Sequence, residues 1–177
     1  MEVEKLISNL PDYAFDIKNN LTELLNAEKS SNLSKKNIAA IAVAASLTTT
    51  SVALIETMEI LAGKYLSEEE MKGAKTAHAL MSMTNVYYSF TYAADDPVYK
   101  KMLSGLQMRA RKNPGIEKRS YEFAALAVSA INNCKECMNF HESQLRKLKV
   151  EPEEIQICIK LAAVISATGQ LLKFKTL

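Results

Sequence analysis

Residues 38–45, IAAIAVAA, recur 85 positions later as FAALAVSA at 123–130. The same offset lays Glu68 and Glu69 on Glu153 and Glu154, Lys75 on Lys160 and Ala77 on Ala162. One offset holding across two separated segments describes a duplicated unit that buries its apolar face by packing as one body with its copy. The repeated elements are helices. Nine of the 177 residues are Gly or Pro, about 5% against a usual ~12%, too few breaks for a chain of many short strands. The expectation is an all-α chain with a single domain over 1–177. Within it an N-terminal helical segment covers 1–33, a first repeated helical-hairpin unit 34–92 and a second 116–177. A chain of this length buries its own core without metal or disulfide staples.

Local signals place the helix ends. Leu6, Leu10, Tyr13, Ala14 and Ile17 recur at helical spacing, as do Leu21, Leu24 and Leu25, with Pro11 marking a boundary. Ser34 reads as an N-cap, and Thr48-Thr49-Thr50-Ser51 as the break that ends the run it opens. Ser67-Glu68-Glu69-Glu70 has capping-box form, residues 93–97 read as a loop, and Asn113-Pro114-Gly115 is the strongest turn signal. Glu151-Pro152-Glu153-Glu154 starts the last helix with acidic residues in its first turn.

Charge excludes some functions. Twenty-two basic and twenty acidic residues leave a net charge of +2, which gives no electrostatic basis for binding nucleic acid or an anionic membrane. The opening MEVEKLISNLPDYAFDIKNN lacks the apolar core of a signal peptide, and the longest apolar stretch, Ile38–Leu47, is half a membrane span. The expected compartment is the cytoplasm. Three cysteines imply no disulfide framework, and in a reducing compartment a Cys-x-x-Cys pair points to redox or metal chemistry.

That pair lies in YEFAALAVSAINNCKECMNFHESQL, residues 121–145. Asn132-Asn133 interrupts the apolar helix and offers an N-cap for the next, placing Cys134 near its first turn, where free N–H groups and the helix dipole favour a thiolate. At about 100° per residue, Cys137 falls about 300° and His141 about 340° around from Cys134, so the three share an arc of roughly 60°. Glu122 precedes the reversal at Asn132 by ten residues and His141 follows it by nine, so an antiparallel pair brings them to one depth. A carboxylate there would fix the histidine's tautomer and strengthen it as a base. The first repeat carries Thr49, Val52 and Glu56 where the second has Cys134, Cys137 and His141. The first therefore reads as scaffold and the second as the catalytic repeat.

Glu, eleven residues, Cys-x-x-Cys, three residues, His is the pattern of the AhpD (alkyl hydroperoxidase D) family, within the carboxymuconolactone decarboxylase-like superfamily. The segments EKLISNLPDYAFDIKNNL, MSMTNVYYSF, NPGI and AVSAINNC also resemble that family, so the likeness covers essentially the whole chain. The resemblance implies an AhpD-like helical fold, a homotrimer, and an antioxidant peroxidase reducing alkyl hydroperoxides. Cys137 matches the cysteine that becomes sulfenic acid. Cys134 matches the proton donor that then closes the Cys134–Cys137 disulfide. Glu122 and His141 match the proton relay. No bound cofactor is implied; the reductant is a dihydrolipoyl group on the acyltransferase of a 2-oxo-acid dehydrogenase complex, and the dithiol also reduces the peroxiredoxin AhpC. One position departs: Lys135-Glu136 stands where the family usually has Ser-His, so the inner relay histidine is missing.

Two alternatives accompany this reading. One is a thiol–disulfide adaptor that feeds a peroxiredoxin with little peroxidase activity of its own. The other is a zinc-binding or redox-sensing module, for which His78 and Cys158 are the remaining ligands and stand in no motif. Cys158, in IQICIKLAAVI, reads as a small buried hydrophobe, and His78 as a core or interface histidine. Met71, Met81, Met83 and Tyr87-Tyr88 read as core or subunit contact, and Arg109, Arg111 and Lys112 as a solvated face.

Overall fold

A computed structural model describes residues 2–174; Met1 and residues 175–177, the ends of the expected unit, lie outside the described residues. The helices are α1 (Glu2–Ser8), α2 (Phe15–Leu24), α3 (Lys35–Thr49), α4 (Val52–Ala62), α5 (Glu68–Ala93), α6 (Val98–Lys101), α7 (Lys118–Ile131), α8 (Lys135–Lys147) and α9 (Pro152–Phe174). Short 3-10 turns lie at Asp12–Ala14, Ala27–Lys29 and Arg109–Lys112, and no strand occurs among the described residues. The chain is all-α.

The 85-residue offset maps helix onto helix. Shifted by it, α3, α4 and α5 fall at 120–134, 137–147 and 153–178, where α7, α8 and α9 run 118–131, 135–147 and 152–174. Their starts follow from local chemistry. The Ser34 hydroxyl accepts from the Asn37 N–H, and Ser67 with Glu70 forms a complete capping box. Pro152 occupies the first position of α9, where its missing N–H costs nothing. Between α3 and α4, Thr50 adopts a left-handed conformation (φ 60°) that ends the apolar run.

The N-terminal segment breaks at the boundary that Pro11 marks. α1 stops at Ser8, Pro11 is extended (φ −63°, ψ 157°), and α2 starts only at Phe15. The proline breaks the helix and resets its phase, so Tyr13 is 81% exposed although it shares the helical spacing of its neighbours.

α3 and α7, the repeated Ala-rich helices, pack on one another at the centre. Small side chains allow the close approach, and buried Asn37 donates to the Ser120 hydroxyl across it at 2.9 Å. Every residue from Asn37 to Ser46 is buried, so this stretch of α3 shows no apolar stripe: between its ends the helix has no solvent face. One apolar cluster, including Leu21, Ile41, Phe123 and Leu161, lies toward α1, α2 and α9. The other, including Val43, Ala74, Tyr121 and Val128, lies toward α5. By length and mean hydropathy (1.6) Pro152–Lys173 would suffice for a membrane span, contrary to the sequence reading. A core helix has the same signature, and α9 packs on α2, α3 and α7 with Cys158, Leu161 and Ile165 fully buried.

Candidate active site

The turn between α7 and α8 positions the cysteines. Asn133 is left-handed (φ 55°), a conformation Asn tolerates better than most residues. Its N–H donates to the Ala130 carbonyl at 3.1 Å and that of Cys134 to the Ser129 carbonyl at 3.0 Å, the paired bonds of a Schellman ending. The N-cap of α8 is therefore Cys134 itself, not an asparagine: the left-handed residue uses up one position of the reversal. Asn132 instead donates its amide to Asn85 Oδ1 at 3.0 Å, and Asn85 donates to the Ser129 hydroxyl at 3.1 Å, tying the turn to α5.

From the N-cap, Cys134 lies three residues before Cys137, and the two sulfurs are bonded, with Cα atoms 5.3 Å apart. The first intrahelical bond of α8 runs from the Met138 N–H to the Cys134 carbonyl, which leaves the N–H groups of residues 135–137 free at the helix N-terminus. The two cysteines are not equivalent. Cys134 is fully buried, whereas Cys137 is 6% exposed and lines a cavity of about 480 Å³.

Glu122 and His141 meet as the hairpin count anticipates. His141 Nδ1 donates to Glu122 Oε2 at 2.6 Å, and both side chains are buried. The other ring nitrogen, Nε2, lies 3.0 Å from the sulfur of Met81 on α5, a weak acceptor that lines the same cavity. His141 lines the same cavity as Cys137, together with Met81, Tyr88, Met108, Arg111 and Phe140. Glu136, in place of the absent inner histidine, lines it as well, so a carboxylate stands where the family usually has an imidazole.

Sequence reasoning missed two members of this site. Arg111 is not simply solvated: it lies 3.7 Å from Glu122 Oε1, and its guanidinium stacks 4.6 Å above the Phe140 ring. Met81 is buried as expected of a core residue, but its sulfur touches the histidine. Neither has a spacing signal. Arg111 comes from an irregular connection and Met81 from the middle of a 26-residue helix.

The remaining candidates lie apart. Cys158 is fully buried, its thiol donating to the Phe123 carbonyl at 3.4 Å, and burial pushes that thiol well up. His78 is half-buried with Thr48 Oγ1 3.4 Å from Nδ1, and partial desolvation lowers its proton affinity. Among the described residues, no three His, Cys, Asp or Glu side chains come together as a metal site. Tyr121 lies beside Glu122 in α7, and burial, partly offset by Arg111, pushes its phenol up to about 12.

Comparison with known proteins gives a consistent picture. Residues 97–175, which include all four motif residues, match the Carboxymuconolactone decarboxylase family. The chain is 38% identical over 162 residues to alkyl hydroperoxide reductase AhpD of Coxiella burnetii, covering 92% of each. Against the protein of that name from Streptomyces griseus it is 38% identical over 96% of this chain and 94% of the relative. Against that from a Bradyrhizobium species it is 36% identical over 96% and 92%.

Proposed function

Because the chain belongs to the AhpD family, we propose that it is an antioxidant dithiol peroxidase that reduces alkyl hydroperoxides at Cys137 and is recycled by a dihydrolipoyl group. One observation carries this reading. The Cys134–Cys137 disulfide presents only its Cys137 side to a cavity that is also lined by His141, whose Nδ1 is bonded to the buried Glu122 behind it.

In the reduced protein, Cys137 sits in the first turn of α8 with unpaired N–H groups beside it, a setting that favours the thiolate. His141, oriented by Glu122, takes the thiol proton. The thiolate attacks the terminal oxygen of the hydroperoxide, the O–O bond breaks, and the alcohol leaves after taking a proton from the relay, so Cys137 becomes a sulfenic acid. The buried Cys134 thiol then displaces water from that sulfur and forms the disulfide. A dihydrolipoyl dithiol restores both thiols and is itself oxidised to the cyclic disulfide. The apolar lining of Met81, Tyr88, Met108 and Phe140 suits an organic rather than an inorganic peroxide.

On the family resemblance the proposal extends to AhpC as an electron acceptor, a lipoylated acyltransferase as donor, a homotrimer as the assembly and the cytoplasm as the compartment. The exposed apolar side chains Val86, Phe90, Tyr99 and Leu103 on and after α5 support association of copies. A second reading has its own support. With Glu136 in place of the inner histidine, the chain is an adaptor that passes electrons to a peroxiredoxin and has little intrinsic activity.

The deciding experiment mixes reduced protein with cumene hydroperoxide and dihydrolipoamide in the absence of any peroxiredoxin. Sustained turnover is expected. No turnover, with full activity restored by an AhpC-type peroxiredoxin, would replace the enzyme reading with the adaptor.

A further inference from the structure

The Glu122 carboxylate is shared. Oε2 accepts from His141, and Oε1 faces the Arg111 guanidinium at 3.7 Å. Arg111 comes from the 3-10 turn Arg109–Lys112, none of whose residues is buried, and its side chain remains 33% exposed while Glu122 is at 3%. The guanidinium lies over the Phe140 ring, 4.6 Å from its centroid, and that ring in turn meets that of His141 edge to face at 5.2 Å. A cation from an irregular segment thus reaches the buried carboxylate along the wall of the cavity that Cys137 lines.

We infer that Arg111 is a positioning residue for the proton relay, holding the Glu122 carboxylate in place through the oxygen that His141 leaves free. This rests on the relay proposed above. A buried carboxylate facing only a histidine binds a proton tightly as a pair, whichever partner carries it. A second cation beside the free oxygen opposes the uptake of that proton. The other ionisable groups beside the pair or around the cavity are Tyr121 on α7, Tyr88 and Tyr92 on α5, and Glu136 and Cys137 on α8. None of these is a cation.

The test is the pH profile of single-turnover thiol oxidation by cumene hydroperoxide. Arg111→Met should move the acid limb up by about one pH unit and slow the reaction on that limb about tenfold. Arg111→Lys should hold the limb near that of the parent, because the charge is kept, with a lower plateau because the stacked fork is lost. Lys112→Met removes the same charge from the same turn away from the cavity and should leave the profile unchanged. A limb that stays put in Arg111→Met, or moves equally in Lys112→Met, overturns the inference. Arg111→Gln serves as the uncharged variant if Arg111→Met loses its helical spectrum. With only two histidines in the chain, NMR titration of His141 in a His78→Gln background reads the same displacement without turnover. That arm decides the role of Arg111 even if the parent fails to reduce peroxide.

Discussion

Glu122 and His141 lie nineteen residues apart and meet at 2.6 Å because α7 and α8 fold back across a two-asparagine turn. In a buried site the bond does two things. It fixes Nδ1 as the donor, and it lets the imidazole gain a proton without leaving an unpaired charge. Glu122→Gln keeps the shape and removes the charge. Thiol oxidation should slow by about 10²-fold, and its acid limb should move to lower pH, because the pair then binds its proton less tightly. This is opposite in direction to Arg111→Met. The chain has no Trp, so the reaction is followed by quenching, alkylation and mass spectrometry. A limb that rises or stays in place would show that Glu122 does not act through His141.

The unequal burial of the cysteines predicts unequal variants. Cys137→Ser leaves no thiol at the cavity and should abolish trapping of sulfenic acid by a dimedone reagent. Cys134→Ser removes the resolving thiol and should leave a trappable sulfenate on Cys137 that persists. The adduct is located by peptide mass spectrometry; the reverse pattern would exchange the two roles.

Legibility in the sequence follows physical type. The hairpin was countable because two helices of constant rise reverse at one marked place, so equal distances from Asn132 mean equal depth. Cys158 is readable because the residues around it in IQICIKLAAVI are apolar except Gln156 and Lys160, which fall on the exposed side. Arg111 is not, because the segment between α6 and α7 is irregular and irregular backbone has no period to project from. Tyr13 keeps the helical spacing of its neighbours yet is exposed because Pro11 resets the helical phase, and the cap of α8 falls one residue later than the asparagines because Asn133 turns left-handed. Periodic backbone transmits position along the chain; the exceptions occur where it is interrupted.

Stability should fall at alkaline pH through two buried groups. Burial raises the Cys158 thiol from its ordinary 9.0 and the Tyr121 phenol from 10.0 to about 12. In each case the folded chain keeps a proton that the unfolded chain releases. The stabilisation is fully present below the unfolded value and is lost as pH rises above it, at up to about 1.4 kcal/mol per pH unit for each group. Urea unfolding of the oxidised protein should therefore show a decline beginning near pH 9 and steepening past pH 10. Cys158→Ala should flatten the first part and Tyr121→Phe the second. Parallel slopes in parent and variants would count against this account.

Gly169 tests how tightly α9 docks on α3. In a helix interior Gly→Ala ordinarily gains about 1 kcal/mol. Here an added Cβ would stand 2.3 Å from Thr49 Cβ, 2.7 Å from its Cγ2 and 2.8 Å from its Oγ1. Thr49 cannot easily yield. It is β-branched, buried at the end of α3, and its hydroxyl donates to the Ser46 carbonyl at 2.7 Å while accepting from the Ser51 N–H at 3.3 Å. The helices must separate instead, and Gly169→Ala should lose about 1–3 kcal/mol in urea unfolding. Thr49→Ser should not rescue it, because the nearest atom is the Cβ that serine retains. A Gly169→Ala protein as stable as its parent would mean that α9 shifts freely along α3 and that the contact does not fix the packing of the repeat.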